Sequence, residues 1–357
     1  MESQDYVVTL KAGHAVPDKL AFVQAEVIPA RAMMIYQIRA NVPGLGEVDV
    51  LVAPPLAEGL VRLNGPPDNF NGNASFSMGA AFLAPFVNRV RGKFLPASCE
   101  IETQIATSTI RLQANGRGKA PGAEVFAIHG LLLRRKARVT GTFSAGDGES
   151  VHATLDANDF GGRWPSSLCF DFNISLTSGA FSAVLTATNT GSEPTPVGLG
   201  WHPYFNLPSG DRRQARMRLP ARARLPVNNY DEVLPTGEIA LIRGTNYDFS
   251  PAGGRALDGL YLDDCFVDLI KGTRGETVCE IIDAAAAYGL RIISDSPEIT
   301  ALQTYAPPNR ALVVIEPQFS WADPYGCVWP PGVETGMVLL QSGGSVAYRV
   351  TLELFRP

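Results

Sequence analysis

A chain of 357 residues, 45% hydrophobic and 18% charged, has the make-up of a globular protein with a sizeable core. Thirty Lys and Arg against 35 Asp and Glu leave a net charge of −5 with no basic block, which argues against nucleic acid or anionic membrane as a partner. No apolar run approaches the ~18 residues of a membrane helix, MESQDYVVTL lacks the build of a secretory leader, and the five scattered cysteines form no CxxC; a cytoplasmic protein without disulfides or a cysteine–zinc site is expected.

In chain order, candidate strands fall near residues 21–28, 34–40, 48–53, 99–113, 136–145 and 150–156, with turn residues at Gly44-Leu45-Gly46 and Ala145–Gly148. Ser77–Val90 is apolar enough for a helix, but Gly79 and Pro85 interrupt it. The clearest signal follows: Leu168, Phe170, Phe172, Ile174 and Leu176 alternate with small or polar residues. A turn at Thr177–Ala180 then leads into Phe181–Thr188, which predicts an antiparallel hairpin. Further strands are expected near 277–283, 289–294 and 311–316. The C-terminal segment repeats the pattern, with Val346, Tyr348, Val350, Leu352 and Leu354 on one face. Asp283–Tyr288 is Ala-rich but too short for an independent helix. With no linker and no internal repeat, residues 1–357 read as one all-β domain, a sandwich or barrel.

Several chemistries are missing. There is no GxSxG elbow and no HExxH, and Gly116–Gly122 has the wrong spacing for a phosphate loop and reads as a turn. His14, His129, His152 and His202 are too dispersed to form a metal motif, so no metal and no cofactor are expected.

Polar residues interrupt the apolar pattern at five places. In Gly198–Leu207, His202 lies between Trp201 and Pro203, where a strand pattern ends. Proline biases His202 toward an extended backbone, and the flanking aromatics suit the apolar faces of a sugar ring; a core histidine under an aromatic cluster is the alternative. Ala311–Gln318 is an apolar strand closing on Glu316. Partial desolvation there raises a carboxyl pKa and makes a better base near neutral pH, unless the side chain points into water. His129 precedes Gly130. Asp263 and Asp264 are adjacent in a strand pattern and point to opposite faces. Asn88-Arg89 lies in Pro85–Arg91, where an arginine also suits a solvated strand end.

Together and in this order, these stretches resemble the aldose 1-epimerase (galactose mutarotase) family from about residue 21 to the end. The resemblance rests on Asn88-Arg89, His129-Gly130, His202–Leu207, Leu262-Asp263, Leu302-Gln303 and Glu316–Gln318. It implies a large antiparallel two-sheet β-supersandwich, galactose mutarotase-like, with a monosaccharide in an open cleft. It implies His202 as catalytic acid and Glu316 as catalytic base. Asn88, Arg89, His129, Asp263 and Gln303 then bind the sugar, with Trp201 as a stacking platform. The chain departs from the family where Trp201 replaces an Asn and where Asp264-Cys265 replaces a His-Asn pair, which bears on sugar preference rather than reaction type.

The implied reaction is anomer interconversion of a free aldohexose by a monomer or homodimer. It requires His202 to hold a proton near neutral pH, which a nearby carboxylate favours. A hexose-6-phosphate 1-epimerase is the nearest alternative, with Arg89, Arg91, Lys93, Arg134 and Arg135 as available cations. A non-catalytic carbohydrate-binding protein has no need of both His202 and Glu316. A glycoside hydrolase or lyase requires two carboxylates flanking the bond, for which Asp263 and Glu316 are the candidates.

Overall fold

The period-two patterning becomes antiparallel sheets in the computed structural model, which describes residues 6–13, 18–65 and 74–357. His14 lies outside these residues. Among the described residues, eleven strands form one large sheet and nine form a second, with three small sheets beside them.

The centre of the first sheet runs Met34–Val42, Ala80–Leu83, Gly200–Asn206, Leu312–Gln318, Ala301–Ala306 and Leu262–Leu269, in that spatial order. The second sheet holds the anticipated hairpin, Leu168–Leu176 paired with Ala180–Asn189, and next to it the C-terminal strand Ser345–Phe355. Alternating apolar residues of both sheets meet between them. Phe82 packs on Phe172 with ring centroids 5.5 Å apart, and Trp201 stacks on Phe181 at 6.1 Å. The Tyr348 hydroxyl donates across the gap to the Pro317 carbonyl at 2.9 Å. Burying both inner faces at ~25 cal/mol per Å² of apolar surface supplies the main drive for the fold.

Some expectations change. The 99–113 candidate is two strands, Glu100–Ile105 and Ser108–Gln113, which reverse beside Ala106 at φ 52°. The 48–53 candidate pairs over Gly46–Asp49, and Leu51 makes only an isolated bridge to Phe205. A helix at Leu56–Leu63 was not anticipated. Leu56, Leu60 and Leu63 fall on one face and pack with Tyr36 and Met34, and Gly59 lets the helix lie against the Tyr36 ring. The cysteines were expected to be buried as small hydrophobes. Only Cys265 and Cys279 are, whereas Cys327 is exposed.

Candidate active site

The register of the first sheet assembles the site. Gly200 pairs with Gln318 and Tyr204 with Val314, so His202 comes to lie across from Glu316. Glu316 pairs with Gln303 on its other side, and Gln303 pairs with Cys265. Residues two apart share a face. One row therefore reads His202, Glu316, Gln303, Cys265, and the next reads Tyr204, Val314, Tyr305, Asp263. His202 pairs with Ala81 on one side but forms no ladder pair with Leu312–Gln318 on the other, and each catalytic candidate is followed by a proline in a central strand, Pro203 and Pro317. Proline lacks the N–H of a ladder bond and holds the preceding residue extended. The strand that carries His202 thus continues through it, over Gly200–Asn206, rather than ending before it. It is buried on both faces, which hides the alternation that marks a half-exposed strand.

The same alternation turns Trp201 the other way. Its ring is fully buried between the two sheets against Phe181 and Phe205, so it is not a stacking platform in the cleft. Asp264 likewise faces away from Asp263. It is fully buried, accepts from Arg224 Nη1 at 2.7 Å and takes the Tyr230 hydroxyl at 2.9 Å. Cys265 packs with Trp321 and Trp329 rather than lining the cavity.

Loops bring the remaining candidates over this floor. The short strand Arg89–Val90 pairs with Ile128 and Ala127, which sets Asn88 beside His129; the His129 N–H donates to the Asn88 carbonyl at 2.9 Å. Asn88 (φ 54°), His129 (φ 62°) and Gly130 (φ 78°) all adopt left-handed backbone, a region that Asn and His tolerate better than most side chains. A Cβ at Gly130 would collide with the Ala84 carbonyl. The polar side chains then link. Asn88 Nδ2 donates to Gln303 Oε1 at 2.9 Å, and Gln303 Nε2 donates to Asp263 Oδ1 at 2.7 Å. Arg89 Nη1 reaches Asn88 Oδ1 at 3.1 Å, and Nη2 lies 3.8 Å from Asp263 Oδ2.

His202 Nε2 and Glu316 Oε1 are 3.5 Å apart, and both side chains are nearly inaccessible. His129 meets the His202 ring edge-on at 4.8 Å, and Phe76 meets His129 at 4.6 Å. Burial dominates the electrostatics. It pushes Glu316 well above the usual carboxylate range, aided by Asp263 and opposed by Arg89. It pushes His202 down to about 4, and His129 well below the ordinary histidine value. The expectation that the carboxylate keeps His202 protonated is therefore reversed. Desolvation penalises both charges, so the shared proton rests on Glu316.

The cavity above these groups measures about 600 Å³ and takes in Arg89, His129, His202, Asp263, Gln303 and Glu316. It is also lined by Tyr204, Tyr305, Arg117, Lys119 and Arg310, which the sequence reading did not assign to the site. Arg117 and Lys119 come from the Gly-rich turn set aside as an imperfect phosphate loop; three glycines with two cations were its only signal. Of the cations named for a phosphate site, only Arg89 lines the cavity. Arg91 is instead engaged by Glu124 through two bonds of 2.7 Å.

An all-β fold of large antiparallel sheets, with a buried carboxyl–imidazole pair on the outer face of one of them, defines a β-supersandwich of the galactose mutarotase type. The sequence profile of the aldose 1-epimerase family matches residues 58–353, and the chain belongs to that family of carbohydrate epimerases. The fold is shared with a galactose mutarotase-like protein from Clostridium acetobutylicum at TM-score 0.74 and 17% identity, covering 99% of each chain. It is shared with a GalM/aldose epimerase homologue from C. elegans at TM-score 0.69 and 16% identity, covering 98% of this chain and 99% of that one. Galactose 1-epimerase from Lactobacillus acidophilus NCFM superposes at TM-score 0.64 and 16% identity over 98% and 99% of the two chains. Among curated proteins none matches the sequence.

Proposed function

We propose that this protein interconverts the α and β anomers of an aldose by opening and re-closing its hemiacetal ring. The observation that carries the reading is the buried His202–Glu316 pair, 3.5 Å apart in a cavity lined with hydroxyl-binding groups. Ring opening needs one group to take the O1 proton and another to give a proton to the ring oxygen. A pair that holds one proton between them can do both. Glu316 as carboxylate accepts the O1 proton while protonated His202 donates to the ring oxygen and the C1–O5 bond breaks. Rotation about C1–C2 presents the other carbonyl face, and closure returns both protons. The required arrangement places the shared proton on His202. Arg89 stabilises the Glu316 carboxylate but also opposes a charge on His202, so sugar hydroxyls that hydrogen-bond to the pair favour this arrangement. Asp263, held by Gln303 and Arg89, orients sugar hydroxyls rather than attacking the anomeric carbon.

Polarimetry on freshly dissolved α-D-galactose and α-D-glucose tests this. Wild-type protein is expected to speed the approach to anomeric equilibrium over a no-protein control, and Glu316→Gln to lose roughly 10²–10⁴-fold of that acceleration. Wild-type-like activity in Glu316→Gln refutes the assignment. A second reading, an aldose phosphate as substrate, is favoured by Arg117, Lys119 and Arg310 in the cavity wall, of which Arg310 is exposed and makes no ion pair among the described residues. A lower KM for glucose 6-phosphate than for glucose selects it.

A further inference from the structure

His129 and His202 stand 73 positions apart in the chain, and neither belongs to a metal-ligand motif. The fold nevertheless brings one ring nitrogen of each, together with a carboxylate oxygen of Glu316, within 4.8 Å of one another. All three side chains are buried. His129 Nδ1 and Glu316 Oε2 have no hydrogen-bond partner, and His202 turns its Nε2 toward Glu316. Unpaired buried polar atoms are rare and costly.

Two imidazoles and a carboxylate are the donor set of many catalytic zinc sites, in which a fourth position stays open. Bond lengths of ~2.0–2.2 Å around a tetrahedral ion put neighbouring ligand atoms about 3.3–3.5 Å apart. The His202–Glu316 distance, 3.5 Å, already meets that value. The 4.8 Å that bounds the three ligand atoms exceeds this spacing by no more than about 1.5 Å, which is what His129 has to close as the ion binds. Uncharged imidazoles offer the lone pair a metal needs. Arg89, Arg117, Lys119 and Arg310 line the same cavity, and the Arg89 guanidinium is matched by Asp263 at 3.8 Å. Glu316 is left as the carboxylate that faces the ion.

We propose that His129, His202 and Glu316 form a binding site for a divalent transition-metal ion of the zinc class, and that the ion, by occupying both groups of the acid–base pair, blocks epimerisation. The binding half stands on the geometry alone, whereas the inhibitory half rests on the epimerase reading above. Apo protein is then the active form, and free metal is a competitive inhibitor that enters through the sugar cavity.

Calorimetric titration of the chelator-treated protein with Zn²⁺ tests the binding half. One saturable site per chain is expected, weakened more than about tenfold in His129→Gln and in Glu316→Gln. His152→Gln, in the second sheet and away from the cavity, is expected to leave it unchanged. Titration of wild-type protein with Co²⁺ needs no variant to fold: intense visible d–d bands without a thiolate charge-transfer band are expected for this nitrogen–oxygen set. Absence of saturable binding up to millimolar metal overturns the proposal. So does a thiolate band that disappears in Cys327→Ser, since it would move the site to the exposed cysteine. The inhibitory half is read by polarimetry: added Zn²⁺ is expected to abolish the acceleration, and a chelator to restore it. Full turnover with the site loaded overturns that half. An enzyme inactive on every sugar tried counts against the epimerase reading and leaves the two titrations as independent readouts.

Discussion

Glu316 and His202 share one proton in surroundings that disfavour a charge on either of them. This fixes the acid limb of the pH–rate profile. In the proposed mechanism the pair is competent while it carries one proton and fails when a second arrives on His202. Because burial lowers His202 to about 4, the second proton arrives only there. Activity is expected to hold as pH falls past ~6.5, where an ordinary histidine titrates, and to drop through about 4. Initial rates by polarimetry, corrected for the spontaneous reaction and paired with far-UV circular dichroism to verify folding, provide the check. A limb near 6.5 in folded protein assigns His202 an ordinary, solvated environment and overturns the burial argument. A second residue-scale prediction concerns Gln303. It joins Asn88 to Asp263 through bonds of 2.9 and 2.7 Å. Gln303→Leu keeps the side chain's bulk but leaves the buried Asn88 Nδ2 without its acceptor, at ~1–3 kcal/mol, and leaves Asp263 held by Arg89 alone. If Asp263 orients sugar, KM is expected to rise roughly tenfold or more, with a smaller change in kcat. An unchanged KM excludes Asp263 from the sugar site.

At the scale of the strand, period-two geometry separates neighbours in sequence into different roles. His202 and Tyr204 face the cavity, whereas Trp201 and Phe205 face the second sheet. Trp201→Phe is therefore expected to act on stability, costing roughly 1–3 kcal/mol in urea unfolding. Part of the cost is offset, because the indole N–H is buried without a partner and phenylalanine removes it. KM for the sugar is expected to stay at the wild-type value; a large rise in KM with unchanged stability indicates stacking on the sugar instead. The same geometry explains what was legible beforehand. Leu168–Leu176 and Ala180–Asn189 flank one turn and alternate cleanly, so both the strands and their pairing were readable. Gly200–Asn206 is buried on both faces, so His202 looked like the residue past a strand end. The candidate pair itself was readable as a resemblance, because His202 and Glu316 each carry a distinctive local motif. Arg310 carries none, and Lys119 only a Gly-rich turn that reads as a surface loop. They reach the cavity because of how loops fold over a sheet, which a local pattern does not encode.

At the scale of the whole molecule, one buried carboxylate ties the site to global stability. Asp323 stands at the crossing of two loops. Its N–H donates to the Arg89 carbonyl at 2.6 Å, its Oδ1 accepts the Arg91 N–H at 2.9 Å, and its carbonyl takes the Trp329 indole N–H at 2.9 Å. Burial raises its pKa to about 6, against the pull of Arg91. In the unfolded chain the group titrates near ~3.9. Between these values the folded state binds the proton more tightly, so stability falls as pH rises from about 4 to about 6 and stays reduced above that. A shift of about two pKa units corresponds to about 3 kcal/mol. Asp323→Asn keeps an oxygen that can accept from the Arg91 N–H, and its side chain does not titrate. Other carboxyls titrate across the same range, so the informative quantity is the difference in unfolding free energy between wild type and variant. That difference is expected to shift in favour of the variant by up to about 3 kcal/mol as pH rises through the window, and then to level off. Urea unfolding at a series of pH values across it measures the difference. A constant difference places the cost of the Asp323 charge elsewhere, with the Arg91 N–H and guanidinium stabilising the carboxylate as fully as water does.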